Sequence, residues 1–334
     1  MHAVVLVGGF GTRLRPLTFT TPKPLLPVGN LALLERLMTS LARGGVTHAV
    51  LSLGFKPEPF LKAFPTNVCA GVELSYAVED RPLDTSGAIG FAARQAGIHK
   101  RGETFVVANG DVITDLDVAE LIAFHRASKA QGTIHLTPVA DPSQYGVVEA
   151  QSNGQIIRFV EKPKAGETLS RHVNGGTYIF EASALERMPG TAPLSIERVT
   201  FPEMANAGVL YALATNDYWI DAGSPDTYVR CNVELLSRKS IYKVEPVDAN
   251  ATIDPSAVIT QSMIGEGCVV GQGAQIIRSV LLRGAKVDAN AVVTDSAVMG
   301  HVGAFAQVAS CLIGTDGDVN SGAVIRDAKI PDPS

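Results

Sequence analysis

The segment Ala3-Val4-Val5-Leu6-Val7-Gly8-Gly9-Phe10-Gly11-Thr12-Arg13-Leu14-Arg15-Pro16 runs an apolar strand into a glycine-rich loop, and Thr21-Pro22-Lys23-Pro24 follows closely. A buried strand that ends in glycines lets backbone N–H groups approach an anion without Cβ interference. Two guanidiniums and an ammonium then supply the charge that holds a polyphosphate. The glycines alone would also suit an ordinary tight turn. The arginines and Pro-Lys-Pro argue for an anion, because flanking prolines hold the Lys23 main chain extended and present its ammonium from a stiff segment. The loop is no Walker motif, since the Gly-Lys-Ser/Thr ending is missing, and no dinucleotide fingerprint, since the third glycine is out of place. The reading is a nucleoside triphosphate site.

At 334 residues the chain has room for two domains and a substantial core. An apolar fraction of 46% against 18% charged residues argues against long disorder. A net charge of −5 with no basic stripe argues against a nucleic-acid partner. Cys69, Cys231, Cys268 and Cys311 are widely spaced and form no CxxC pair, which suits reduced thiols better than a disulfide framework or a zinc site. The first strand begins almost at Met1 with no signal-peptide order, and no stretch reaches membrane-spanning length without a break. The expectation is a soluble, cytoplasmic protein with no membrane partner.

Two textures divide the chain. Up to about 240, β-rich runs at 3–7, 48–53, 72–78, 104–108 and 133–138 alternate with amphipathic helical runs at 31–43, 86–97, 117–130 and 224–237. This alternation predicts an α/β domain: a Rossmann-like, mostly parallel sheet covered by helices on both faces, with ligands at the strands' carboxyl ends. From about 245 to 330 helical periodicity disappears and aliphatic residues recur every six positions. Val247, Ile253 and Ile259 keep one phase; Ile264, Val270, Ile276 and Leu282 a second; Leu281, Val287, Val293, Met299 and Phe305 a third; Ile313, Val319 and Ile325 close the series. This is the signature of a parallel β-helix built from hexapeptide repeats. Its open ends predict a packing role and a homo-oligomer, with the repeats outside the chemistry. His301 within them could serve acyl transfer, but a lone repeat histidine reads more simply as a surface residue.

Asp111 follows Phe105 to Gly110 at a strand's carboxyl end, and Asp221 follows Tyr218-Trp219-Ile220. Either acid alone suits a turn or a helix cap; two of them on one phosphate-binding sheet suit a hard divalent cation such as Mg²⁺ better. Glu161 and Lys162 are adjacent, so in a strand they should face opposite ways and do different work. Val173-Asn174-Gly175-Gly176 offers an amide for hydroxyl recognition beside close backbone approach, or a polar bulge.

The strings LVGGFGTRLRPLT, TPKPLLP, ANGDV, DPSQYGVV, FVEKP, VNGGTYIF, SIERVTFP and YWIDAGSPDTY, together with the hexapeptide tail, resemble the sugar-1-phosphate nucleotidyltransferases, and most of all their guanylyltransferase members. The resemblance implies a catalytic domain over 1–240 and a left-handed β-helix over 245–330. It also implies transfer of a nucleotidyl group from a nucleoside triphosphate, GTP first, to a sugar 1-phosphate, mannose 1-phosphate first, with release of pyrophosphate. A thymidylyl- or uridylyltransferase acting on glucose 1-phosphate is the same-class alternative, and a silent nucleotide-sugar-binding regulatory subunit the different-class one. Matched position by position, Leu6, Gly8, Gly9, Gly11 and Thr12 line the nucleotide, while Arg13 and Lys23 hold its phosphates. Asp111 and Asp221 match the Mg²⁺ ligands, and Lys162 matches the lysine that binds the sugar phosphate. Gly146, Glu161 and Asn174 match sugar-recognition positions, and Ser86, Gly87 and Asn109 further nucleotide contacts. Arg13, Lys23, Asp111, Lys162 and Asp221 are thereby the catalytic set. Glu79 resembles the acid preceding Pro-Leu in guanylyltransferases, and its carboxylate could accept from guanine N1–H and N2–H together. Where those enzymes carry Pro-Leu-Gly-Thr-Ala/Gly-Gly, this chain has Pro82-Leu83-Asp84-Thr85-Ser86-Gly87, which places a Cβ and a charge at the family's glycine.

Overall fold

The computed structural model describes residues 1–54, 57–238 and 244–333; the expected domain limit at 240 lies outside them. The chain forms two compact units, one of Met1–Gly9 with Leu37–Trp219 and the other of Phe10–Arg36 with Ile220–Ser334.

The first unit is built on a ten-stranded sheet. In chain order its strands are β1 (His2–Leu6), β2 (His48–Leu53), β3 (Val68–Cys69), β4 (Val72–Val78), β5 (Phe105–Asn109), β6 (Gly132–Pro138), β7 (Gly146–Ala150), β8 (Ile156–Glu161), β9 (His172–Phe180) and β10 (Leu210–Ala214). Their spatial order is β8-β7-β9-β5-β1-β2-β4-β3, with β6 pairing β9 and β10. The run β5-β1-β2-β4 is parallel. Of these, β5, β1 and β2 are buried on both faces, as Ala3, Val4, Val5, Val106 and Val107 show, which is why they read as continuous apolar runs. The sheet becomes mixed where β9 enters antiparallel between β5 and β6. Helices fall where the amphipathic runs place them, at Leu33–Arg43, Asp84–Gln95 and Val118–Ser128, with Pro225–Ser237 in the second unit. Asp117 starts the third by accepting from Ala119 N–H at 2.9 Å. Phe105, Phe159, Tyr178, Phe180 and Phe201 fill the core with Ile89 and Ala92 of the second helix.

In the second unit, three five-stranded parallel sheets form the faces of a left-handed parallel β-helix. One face stacks Thr252 on Val269, Lys286, His301 and Asp318, so that three coils take 17 residues and one takes 15. The interior runs through Ile264, Val270 and Ile276, then Leu281, Val287 and Val293, then Val298, Val302 and Val308, and then Ile313 and Val319. The third phase read from the sequence is corrected here. The short coil steps from Val298 to Val302, so counting in sixes from Val293 overshoots, and Phe305 stands 64% exposed while Ala306 turns inward. One corner of each coil carries a residue with left-handed backbone, namely Gln261, Arg278, Asp295, Ser310 and Asp327. Beside it runs a ladder of buried serines, in which Ser262 Oγ accepts from Ser279 N–H at 3.0 Å, Ser279 Oγ from Ser296 N–H at 3.2 Å and Ser296 Oγ from Cys311 N–H at 3.0 Å. These bonds satisfy corner amides that the coil's own strands leave unpaired. All four cysteines are buried and none is in a disulfide, and among the described residues no helix is long and apolar enough to cross a membrane.

Candidate active site

In the first unit Leu6, Gly8 and Asn109 lie at the carboxyl ends of parallel strands, with Asp111 just beyond. Leu6 pairs with Asn109, and Gly110 N–H donates to the Leu6 carbonyl at 2.9 Å, so the ends of β1 and β5 open side by side. Gly8 lies so close to Gly54 that a Cβ would stand 3.0 Å from its nitrogen. Half-buried Asp111 follows directly. Opposite Asn109, the β6–β9 register shifts between Asn174 and Tyr178. The asparagine therefore sits on a bulge, where its Oδ1 accepts from Gly176 N–H and its Nδ2 donates to Tyr178 Oη, both at 2.9 Å. Gly176, at φ +76°, leaves no space for a Cβ, which would stand 2.9 Å from Asn109 Nδ2.

The strand pair β7–β8 brings Gly146 opposite Glu161. A Cβ on Gly146 would run into the Phe159 ring, so glycine lets the two strands close over that ring. Burial raises the Glu161 carboxyl above its usual range, and Glu197 adds to the rise while Lys162 and Arg198 oppose it. The expected opposition of Glu161 and Lys162 is not found. The strand ends at Glu161, Lys162 turns into the left-handed region at φ 50°, and its Nζ comes within 3.8 Å of Glu161 Oε1. Two aromatics that sequence reasoning missed complete this wall. Trp219 donates from Nε1 to the Gly175 carbonyl at 2.8 Å and meets Tyr145 edge-on at 5.6 Å, and the Tyr145 carbonyl accepts from Lys162 N–H at 3.0 Å. The available signal was that Trp219 is the chain's one tryptophan and Tyr145 adjoins Gly146.

The loop after β4 is held from within. Glu79 Oε2 accepts from Leu83 N–H at 2.8 Å and Oε1 from Ser52 Oγ at 3.3 Å. Asp84 adopts φ 57°, the left-handed conformation that glycine takes most readily, and its Oδ1 accepts from Thr85 N–H at 2.7 Å. Ser86 is fully buried, with its hydroxyl 2.7 Å from Thr200 Oγ1 and its N–H donated to the Leu194 carbonyl. Gly87 packs against the Ala192 carbonyl. Both therefore set the position of the Asp84–Gln95 helix.

In the second unit, Gly11 takes φ 60° and leads into the short helical turn Thr12–Leu14, fastened by Thr18 Oγ1 donating to the Gly11 carbonyl at 2.9 Å. Lys23 is only 6% exposed, yet its Nζ lies 3.6 Å from Asp221 Oδ1. Arg13 Nη2 stands 3.9 Å from the other carboxylate oxygen. Gly223 adjoins this group, and a Cβ there would stand 2.7 Å from Asp221 Oδ1 and 3.0 Å from Lys23 Nζ and displace both. Two cations therefore face one carboxylate, and guanidinium and ammonium are the donors that suit a polyanion. Among the described residues no group of three or more His, Cys, Asp or Glu side chains gathers as a metal cluster. His301 lies in the β-helix wall between Asp318 Oδ1 at 2.7 Å and Asp288 Oδ2 at 2.9 Å, and these bonds raise its pKa.

A glycine loop at the ends of parallel strands, a cation pair on an acid and a hexapeptide β-helix in one chain define a nucleotidyl-transferring enzyme of the α/β class. The family model described as nucleotidyl transferase matches residues 2–238, and the GMPPB C-terminal domain matches residues 243–333. The chain belongs to the nucleotidyl transferase family, in its sugar-1-phosphate branch. It is similar to mannose-1-phosphate guanylyltransferase of Mycobacterium tuberculosis, 33% identical over 303 residues that cover 88% of this chain and 83% of that one. It is 40% identical to mannose-1-phosphate guanyltransferase of Schizosaccharomyces pombe over 269 residues, 78% of this chain and 73% of that one. Among solved structures it is similar to a putative glucose-1-phosphate thymidylyltransferase from Bacillus anthracis, with a TM-score of 0.63, 26% identity, and 73% of this chain and 97% of the other covered. Enzymes of this family generally need a divalent metal.

Proposed function

We propose that this protein makes GDP-mannose and pyrophosphate from GTP and mannose 1-phosphate, in a cytoplasmic setting. The observation that carries the reading is the buried Lys23 ammonium set with Arg13 on Asp221, since a lysine is kept out of water only where something anionic needs it. In the proposed reaction a phosphate oxygen of mannose 1-phosphate attacks the α-phosphorus of GTP, a new P–O bond forms, and the α–β phosphoanhydride bond breaks to release pyrophosphate. The attacking oxygen is already anionic, so no general base is required, and the barrier is alignment and charge repulsion.

Leu6, Gly8, Gly9, Gly11 and Thr12 are assigned to the nucleotide, with Asn109 beside them and Ser86 and Gly87 supporting from behind. Arg13 and Lys23 take the triphosphate and the departing pyrophosphate. Gly146, Glu161, Lys162 and Asn174 take the sugar phosphate; Lys162 meets its charge, and Glu161 and Asn174 meet its hydroxyls. Asp111 and Asp221 are hard anionic oxygen donors of the kind Mg²⁺ takes, and they are its proposed ligands. Magnesium, when bound, supplies charge neutralisation on the triphosphate. Glu79 is assigned to the guanine edge, since each of its oxygens keeps acceptor capacity beyond the bonds to Leu83 and Ser52. Residues 1–240 form the proposed catalytic domain and 245–330 the repeat domain. The open ends of the repeat stack support homo-oligomer formation there.

The test is pyrophosphate release. GTP with mannose 1-phosphate and Mg²⁺ should turn over, and omission of any one of the three should stop it. No turnover with any triphosphate and sugar phosphate would leave the silent regulatory reading instead.

A further inference from the structure

We propose that the β-helix takes part in catalysis as the support of the phosphate-binding segment, with Lys329 as the positioning residue for Arg13. The inference rests on the reading of Arg13 and Lys23 as phosphate ligands. Read from the sequence, the repeats lie outside the chemistry; three of their residues nevertheless hold the segment that carries both cations. Lys329, half-buried on the last coil, donates from Nζ to the Arg13 carbonyl at 2.9 Å. Gly314 receives Pro16 so closely that a Cβ there would stand 2.8 Å from Pro16 Cβ. Thr315 Oγ1 lies 3.1 Å from Thr20 Oγ1. Farther along, Asn30 Nδ2 donates to the Glu245 carbonyl at 2.9 Å.

Between the last two anchors the segment does not rest on the repeats. A cleft of about 410 Å³ runs there, with Thr21, Leu25 and Pro27 on one side and Glu266 and Arg283 on the other. Lys23, Leu26 and Val28 are held between those anchors by burial, whereas Arg13, 66% exposed, has its main chain held from the repeats by the Lys329 bond. Arg13 has the greater need, because an exposed guanidinium has little else to orient it, and the Lys329 bond fixes its own main chain. A charged donor on a carbonyl is one of the stronger single hydrogen bonds. A small misplacement of a phosphate ligand costs rate steeply.

The experiment compares Lys329→Met, which keeps the aliphatic stem and removes the donor, with Lys329→Arg, which restores one. Each is measured with full-length protein for KM and kcat toward GTP and toward mannose 1-phosphate, beside thermal melting. Lys329→Met should lower kcat/KM for GTP roughly tenfold, leave KM for mannose 1-phosphate unchanged, and be substantially rescued by Lys329→Arg. Combined with Arg13→Ala, it should cost nothing further, because it acts through Arg13. Unchanged GTP kinetics in a folded Lys329→Met protein would overturn the proposal. So would parallel losses toward both substrates that track melting, or additive losses in the double variant. If Arg13→Ala is silent while Lys329→Met is not, the phosphate-ligand reading of Arg13 fails, and the proposal with it.

Discussion

Replacing Lys23 by Met removes the ammonium and keeps the length of the side chain. At 3.6 Å from Asp221 Oδ1, the pair's attraction amounts to about 5 kcal/mol at an effective dielectric near 20. Lys23 is only 6% exposed, and withdrawing an ammonium from water costs several kcal/mol, so the two largely cancel in the folding balance. Asp221 retains Arg13 at 3.9 Å and is itself 27% exposed, so the carboxylate is not left alone in an apolar place. Stability should therefore fall by less than the roughly 3–5 kcal/mol that an uncompensated buried charge costs. Catalysis should not be spared. A pre-placed cation on developing charge is worth about 2.7–4 kcal/mol, so kcat/KM for GTP should fall roughly 100- to 1,000-fold. The assay is pyrophosphate release beside a thermal melt of the same preparation. A Lys23→Met protein that melts like the parent and turns over within about threefold of it would refute the phosphate role. A collapse of the melt would refute the argument that the buried ion pair contributes little to folding.

His135 is fully buried, with its Nε2 2.9 Å from Thr215 Oγ1, and burial pushes its pKa down to about 4. The imidazole is therefore neutral in the folded protein, while the unfolded chain takes up a proton below its ordinary 6.5. The stability it supports is complete above pH 6.5 and is lost as the pH falls toward 4, by about 3 kcal/mol in all. Denaturant midpoints between pH 7 and 4 should show a shallower acid loss in His135→Gln, and identical slopes would refute this. Asp84, at φ 57°, should accept glycine with little change in stability, whereas Asp84→Ala should cost about 1 kcal/mol, since alanine keeps the Cβ and loses the bond to Thr85 N–H. Equal stability of the two variants would show that the left-handed backbone is not what selects the residue.

The sheet was readable because both faces of β1, β2 and β5 are buried, so each strand writes itself as an apolar run between turns. The β-helix was readable for the same reason, until the step from Lys286 to His301 lost two residues. A six-residue count cannot register a shortened corner, and Met299 and Phe305 followed the count while Val298 and Val302 followed the fold. At the site, residues named for chemistry type were legible: Arg13, Lys23 and Asp221 do meet, and Gly146, Glu161 and Lys162 share one strand end. What stayed hidden was side-chain direction and long-range support. Lys162 joined Glu161 because the strand stops one residue earlier than the alternation assumes. Ser86 carries a nucleotide-contact motif yet is fully buried against Thr200, and Lys329 reaches the Arg13 carbonyl across 316 positions of sequence that carry no local sign of the contact.

The central claim is guanylyl transfer to mannose 1-phosphate, and it is tested most directly by the nucleotide-sugar formed from GTP, ATP, CTP, UTP and dTTP, each offered with mannose 1-phosphate and with glucose 1-phosphate. The account predicts that GTP with mannose 1-phosphate has the highest kcat/KM, giving one GDP-mannose for each pyrophosphate released. A higher kcat/KM for dTTP or UTP with glucose 1-phosphate would contradict it, and with it the assignment of Glu79 to the guanine edge.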